Sequence, residues 1–219
     1  MKNFTILLFL IIYCSCALAQ NFNFFLSGNA ATTANYDIYY GSNKQPSAKQ
    51  SLQIKNKYFV GDTTFIEYIN KVGNKQILYT IKSFKDTVLI ELVKYLDIEN
   101  YVKSSIAQVY PLWWLGYPSN LKVGDTLPSY SYQRKMGRGL QITSMSNRVV
   151  EGIDTITTKM GKIACYRITA ENISKGPQGT FHSYITEWIC KEYGLVKQET
   201  SSSKNRVEIS LLLEYVKIY

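Results

Sequence analysis

The chain has 219 residues, a formal net charge of +9, and a composition that is 46% hydrophobic and 14% aromatic. That is enough for one well-buried domain or at most two small ones. A basic balance suits contact with anionic surfaces such as lipid head groups or acidic glycans, though a solvated basic surface explains it most simply. No compact Lys/Arg cluster marks a nucleic-acid face.

The leader comes first. Lys2, the apolar run from Phe4 to Tyr13, and the small-residue box Ala17-Leu18-Ala19 before Gln20 spell a cleavable export signal over residues 1–19. The run is shorter than the about 20 apolar residues that a spanning helix needs. Cys14 and Cys16 raise lipid attachment as an alternative, but the residues before them, Tyr13 above all, do not suit it. No second long apolar segment follows, so the mature chain is expected in the periplasm or at the outer surface, without a membrane-spanning segment. Residues 20–56 read as a loosely ordered amino-terminal arm with one edge strand around Tyr36-Asp37-Ile38-Tyr39-Tyr40, and 57–219 as a single antiparallel β domain.

From Tyr58 onward the register becomes legible. A turn at Gly73-Asn74 pairs Ile66 with Ile81 and Tyr68 with Tyr79, and a turn at Lys85-Asp86 pairs Ile81 with Ile90. One face then collects Ile66, Tyr68, Ile77, Tyr79, Ile81, Val88, Ile90 and Leu92. Agreement between two independent turns on one apolar stripe argues for a meander. The opposite face, with Phe65, Glu67, Leu78, Lys82, Leu89 and Glu91, is mixed.

A connector follows from Asp97 to Leu121. Within it, Pro111-Leu112-Trp113-Trp114-Leu115-Gly116-Tyr117-Pro118 forbids a long helix and discourages a central strand. It reads as a buried plug at one end of the sheet, or as the lip of a ligand pocket built from Trp113, Trp114 and Tyr117. Leu121 to Leu127 restarts β structure.

The carboxy-terminal half continues as strands: Leu140 to Asn147, Arg148 to Thr158, Ile163 to Ile168, Tyr184 to Cys190 and Tyr193 to Glu199. The turn at Met160-Gly161 pairs Ile156 with Cys165. The last strand alternates Val207, Ile209, Leu211, Leu213 and Tyr215 against Arg206, Glu208, Ser210 and Glu214, a half-buried pattern. Cys165 and Cys190 survive cleavage, and an oxidising compartment makes a bridge between them conceivable. A pairing of Cys165 opposite Ile189 would instead point the sulfurs to opposite faces and leave two buried thiols. Both alternatives stay open at this level.

About ten strands with almost no helical periodicity imply an all-β domain, a strongly curved antiparallel sheet or half-open barrel with meander connections. An outer-membrane barrel fits poorly, because Lys217 interrupts the row counted back by twos from Tyr219.

Catalytic signatures are sparse. His182 is the one histidine, no G-x-S-x-G elbow is present, and one histidine with two separated cysteines falls short of a zinc set. Neither calcium loops nor glycine-rich phosphate loops occur, so the chain implies no cofactor and no metal. Glu187 and Glu199 fall on adjacent strands, with Glu171 one strand earlier, and could form the carboxylate pair of an envelope glycan hydrolase.

The runs Val150-Glu151-Gly152, Ile156 to Ile168, Glu187-Trp188-Ile189 and Gly194 to Glu199, with Leu121-Lys122-Val123-Gly124-Asp125-Thr126, resemble an uncharacterised family of exported Gram-negative β-sheet proteins. That resemblance covers about half of the mature chain, in strand and turn patterns, with no catalytic residues to carry over. It implies a curved half barrel of lipoprotein-carrier or lipocalin-like look. The expectation is a non-catalytic envelope protein binding an apolar or amphiphilic ligand, or a partner protein, on a concave sheet face. Trp113, Trp114, Tyr117 and Trp188 are the expected ligand-binding residues, and Cys165 and Cys190 the candidate disulfide. A glycan hydrolase and a purely structural or adhesive component are the rivals.

Overall fold

β-branched and aromatic residues alternating with polar ones build fourteen strands in the computed structural model, which describes residues 32–91, 109–110, 114–136, 139–203 and 206–217. They are β1 (Thr33–Tyr40), β2 (Ala48–Val60), β3 (Thr63–Val72), β4 (Lys75–Phe84), β5 (Thr87–Glu91), β6 (Val109–Tyr110), β7 (Trp114–Pro118), β8 (Thr126–Leu127), β9 (Tyr130–Met136), β10 (Gly139–Thr158), β11 (Gly161–Gly176), β12 (Gly179–Cys190), β13 (Gly194–Ser203) and β14 (Arg206–Lys217). All join one antiparallel sheet in the order β6-β9-β10-β11-β12-β13-β14-β1-β2-β3-β4-β5-β7, with β8 paired to β10. The sheet curls into a nearly closed barrel with one unsealed seam between β6 and β7. Only residues 111–113 separate those edges in sequence, so the chain itself holds them within about 15 Å at that point. The count exceeds the expected ten, partly because β6 and β8 are two residues long.

The two hairpins run in the expected register: Ile66 faces Ile81, Tyr68 faces Tyr79, and Ile81 faces Ile90. Gly73 turns the first of them at φ 56°, a conformation open to glycine at little cost. Ile66, Tyr68, Tyr79, Ile81, Val88 and Ile90 are all buried. The side chains of Ile77 and Leu92 lie outside the described residues. The Tyr68 and Tyr79 rings stack at 5.3 Å, and the Tyr36 hydroxyl donates to the Leu195 carbonyl at 3.0 Å. Burial pushes the Tyr36, Tyr68 and Tyr79 phenols above the usual tyrosine range.

Three expectations are corrected. Over its described part, residues 32–56, the amino-terminal arm is not loose with one edge strand: β1 lies between β14 and β2, and residues 48–60 form a thirteen-residue strand. Ala34, Tyr36, Ile38, Leu52 and Ile54 point inward, and the polar residues between them disguised the alternation. Leu140 to Thr158 is one strand, not two, interrupted by bulges between Ser146 and Val149 and between Val150 and Gly152. At the Met160-Gly161 turn, Ile156 faces Ile163 and Cys165 faces Asp154, a slip of one residue pair that preserves the face.

The β10–β11 hairpin reaches across to the outer side of β1 and β14. Asp37 and Glu214 alternate with core residues, so both point outward, yet they are only 6% and 5% exposed. Lys159 at the hairpin tip sits 2.5 Å from Glu214 and 3.8 Å from Asp37, and the Val216 amide donates to the Met160 sulfur at 3.3 Å. The hydrogen bond to Glu214 leads in holding the Lys159 ammonium above the usual lysine range. Its contribution is therefore present below the ordinary lysine value and is lost only as pH rises through the raised folded value. Lys159→Glu should free the tip by setting three carboxylates together. Amide exchange over 156–163 should then speed up while that of β3 and β4 stays unchanged; an unaltered tip would show that the apolar contacts alone hold it.

Candidate functional site

Ordinary alternation from the inward Met145 would turn Arg148 toward solvent. The bulge between Ser146 and Val149, with Asn147 at φ 52°, inserts one residue and sends Arg148 into the barrel, where its exposure is 0%. Its Nη1 donates to the Gly116 carbonyl at 3.2 Å and the Pro128 carbonyl at 3.1 Å. The guanidinium carbon lies 4.9 Å from the Tyr117 ring centre and 6.0 Å from that of Tyr130. Nε and Nη2 are buried without a partner among the described residues.

Glu187 completes the centre from β12, at 2% exposure. It accepts from the Tyr117 hydroxyl at 2.7 Å and from Gln198 Nε2 at 3.2 Å. Tyr117 therefore links the two charges, its ring under Arg148 and its hydroxyl on Glu187. Burial first, then the negative charge of Glu187, pushes the Tyr117 phenol well up, with Arg148 pulling it back. Burial and Glu187 act in the same way on Tyr130, whose hydroxyl donates to the Met145 sulfur at 2.8 Å.

This arrangement sits against the seam. β7 is the terminal strand and, among the described residues, pairs with β5 alone. On its far side, Arg148 of β10 and Glu187 of β12 reach across the interior to Gly116 and Tyr117. The edge strand is thus latched across the seam by side chains, where a closed barrel would use a backbone ladder. An ionised group held out of water is costly unless fully paired, and this one keeps two open donors.

The expected site residues do not converge. Tyr117 is part of the interior centre. Trp188, next to Glu187, points to the outer face, where its indole donates to Asp154 Oδ2 at 2.9 Å and faces Lys197 Nζ at 4.5 Å. Arg167 donates to the same Asp154 oxygen at 3.2 Å. Trp114 pairs with Glu91 through the backbone of β7, and its side chain lies outside the described residues, as does Trp113 entirely. The carboxylates Glu187 and Glu199 also separate: Glu199 lies on the outer face in an ion pair with Lys197 at 2.6 Å. Glu171 accepts from Asn147 at 3.0 Å. Arg148 escaped sequence reasoning because a charged residue within a strand reads as outward; the break in alternation at Ser146-Asn147-Arg148 was the available signal.

Two surface features remain. An apolar tip at the β2–β3 and β4–β5 turns exposes Phe59, Val60 and Phe84 at 69%, 61% and 42%, beside the stacked Tyr58–Phe65 pair. A cleft of about 470 Å³ lies at the foot of the β10–β11 hairpin, lined by Ile153, Met160, Cys165, Tyr166, Cys190 and Tyr193 among others. Among the described residues no group of three or more His, Cys, Asp or Glu could hold a metal, and no helix is long and apolar enough to cross a membrane.

Among solved structures, the chain is similar to a protein inferred to be exported, with a YmcC-like fold, from Bacteroides fragilis NCTC 9343. Identity is 12% over 87% of this chain and 97% of that one, with a TM-score of 0.70. It is also similar to an inferred lipoprotein from Parabacteroides distasonis ATCC 8503, at 15% identity over 86% of this chain and 96% of that one, with a TM-score of 0.73. At such identities the likeness is one of fold. No curated protein matches the chain. The DUF3108-like family profile matches residues 32–213, which takes in every strand of the barrel except the last four residues of β14, and the chain belongs to that family.

Proposed function

We propose that this is a non-catalytic envelope protein that binds an amphiphile with an anionic head group, held on Arg148 inside the barrel. The observation that carries this reading is the fully buried guanidinium whose Nε and Nη2 have no partner among the described residues. A carboxylate or phosphate oxygen is the natural acceptor for such donors. Tyr117 and Tyr130 face the guanidinium, and Leu115 and Val150 are buried two residues along β7 from Tyr117 and along β10 from Arg148, an apolar setting that suits an acyl chain. The described interior is packed with side chains, so the ligand enters by parting β7 from the far side of the seam, which exchanges the Gly116 and Tyr117 contacts for contacts to the head group. The export signal and the exported and lipoprotein relatives support an envelope location.

Native mass spectrometry of protein purified from its own envelope fraction, before and after organic extraction, tests this. A mass excess removed by solvent, with rebinding of palmitate by the stripped protein, is the expected result. A bare mass together with no palmitate binding would overturn it, and would move attention to the exposed Phe59, Val60 and Phe84 tip as a docking surface for another envelope protein.

A further inference from the structure

We propose that Cys165 and Cys190 are joined by a cross-strand disulfide in the mature protein. The ladder between β11 and β12 sets Tyr166 opposite Ile189, not Cys165. Tyr166–Ile189 is the last pair of that ladder, and extending its register by one step would set Cys165 opposite Cys190. Directly opposed residues of an antiparallel pair share a face and have Cα atoms about 4.5–5.5 Å apart, within the roughly 4.4–6.8 Å span that a disulfide bridges. The obstacle raised by a pairing with Ile189, sulfurs on opposite faces, is absent in this register. Both side chains are buried, 1% and 6% exposed, on the strand face that also carries Asp154 and Trp188, and both line the cleft beside the β10–β11 hairpin. Both are free thiols in this structure.

The chemistry belongs to the folding stage. Once the sheet has closed, burial pushes the Cys165 thiol up to about 12 and raises that of Cys190 as well, so neither is a ready nucleophile. In the unfolded exported chain one thiolate attacks the disulfide of an oxidant, a protein or small-molecule disulfide of the export compartment. The second thiolate then displaces the oxidant's sulfur from the mixed disulfide. Two S–H bonds are lost, one S–S bond forms, and the oxidant leaves as a dithiol carrying both electrons and both protons. The finished bond is sheltered from reductant by the same burial. It ties the Lys191–Tyr193 turn to the base of the hairpin whose tip clasps β14.

The proposal rests on the export reading, and the test separates the two. Protein taken from the envelope fraction is treated with an alkylating agent during denaturation and mapped by peptide mass. A linked Cys165–Cys190 peptide pair, lighter by two hydrogens than the separate peptides, is the expected result; alkylation of both cysteines in that fraction overturns the proposal. The same material is then reduced, unfolded and refolded in a glutathione redox buffer, an arm that does not depend on location. It should regain the same intramolecular bond, and the bridged form should unfold at higher urea than its reduced form. A refolded monomer that stays a dithiol, or links only between chains, overturns the geometry even if export holds.

Discussion

Raising the pH through about 11 should unfold the barrel in one cooperative step, because the interior is built on neutral tyrosines. Tyr36, Tyr68, Tyr79 and Tyr117 are at most 1% exposed, and burial leads in raising each of their phenols. In the unfolded chain the same groups titrate near about 10. A folded-state value raised above the unfolded one gives stability that is complete below pH 10 and is lost as the pH climbs toward the folded value. At pH 11 each such group costs about 1.4 kcal/mol, so four together remove about 6 kcal/mol. That is comparable to the whole stability of an ordinary domain, about 5–15 kcal/mol. Tyrosinate absorbance and far-ultraviolet circular dichroism followed together check this. Exposed members of the chain's 18 tyrosines should ionise first. The buried set should then ionise only as the β signal collapses. Ionisation of every tyrosine of the barrel near pH 10 with the β signal intact would refute the dry interior.

Replacing Arg148 by methionine should cost about 3–5 kcal/mol, the range found when one member of a buried charged network is removed. Methionine fills most of the volume but abandons the Gly116 and Pro128 carbonyls and removes the cation that shares the Tyr117 ring with Glu187. Glu187→Leu alone should also destabilise, since Arg148 then keeps a buried charge with two backbone carbonyls and aromatic rings beside it but without the Glu187 carboxylate. In the double variant both charges are gone, so the loss should fall short of the sum of the two by about 1 kcal/mol or more. Urea unfolding of the four proteins measures that coupling. Strict additivity would mean that Tyr117 does not join the two groups into one unit. Amide exchange in 114–118 should rise in the Arg148→Met protein, because the edge strand loses its tether across the seam.

Much of the fold was legible because its signals were local. Turns at Gly73-Asn74 and Lys85-Asp86 and the alternation around them specified two hairpins to the residue, since a two-residue turn leaves a period-two pattern only one register that buries its apolar side. The site was harder. Arg148 faces inward through a single inserted residue, and Trp188 and Tyr117, grouped as aromatic neighbours by composition, lie on opposite faces of the wall. Cys165 and Cys190 turned on a one-residue difference in register, which exchanges the faces of a whole strand. The edge assigned to the region around Tyr36 belongs instead to β6 and β7, because β1 pairs with a strand at the other end of the chain.

By itself, then, the sequence determined the all-β class, the antiparallel meander of β3 to β5 and the apolar side of each of those strands, all of which depend on residues a few positions apart. Only the tertiary structure decided that the barrel nearly closes, that its seam is latched by Arg148, Tyr117 and Glu187, and that Lys159 pins a hairpin onto Glu214. Alternation states that a strand has two faces. Which face looks inward after a bulge, and which distant strand lies alongside, is set by pairing between residues far apart in the chain, and no local pattern encodes it.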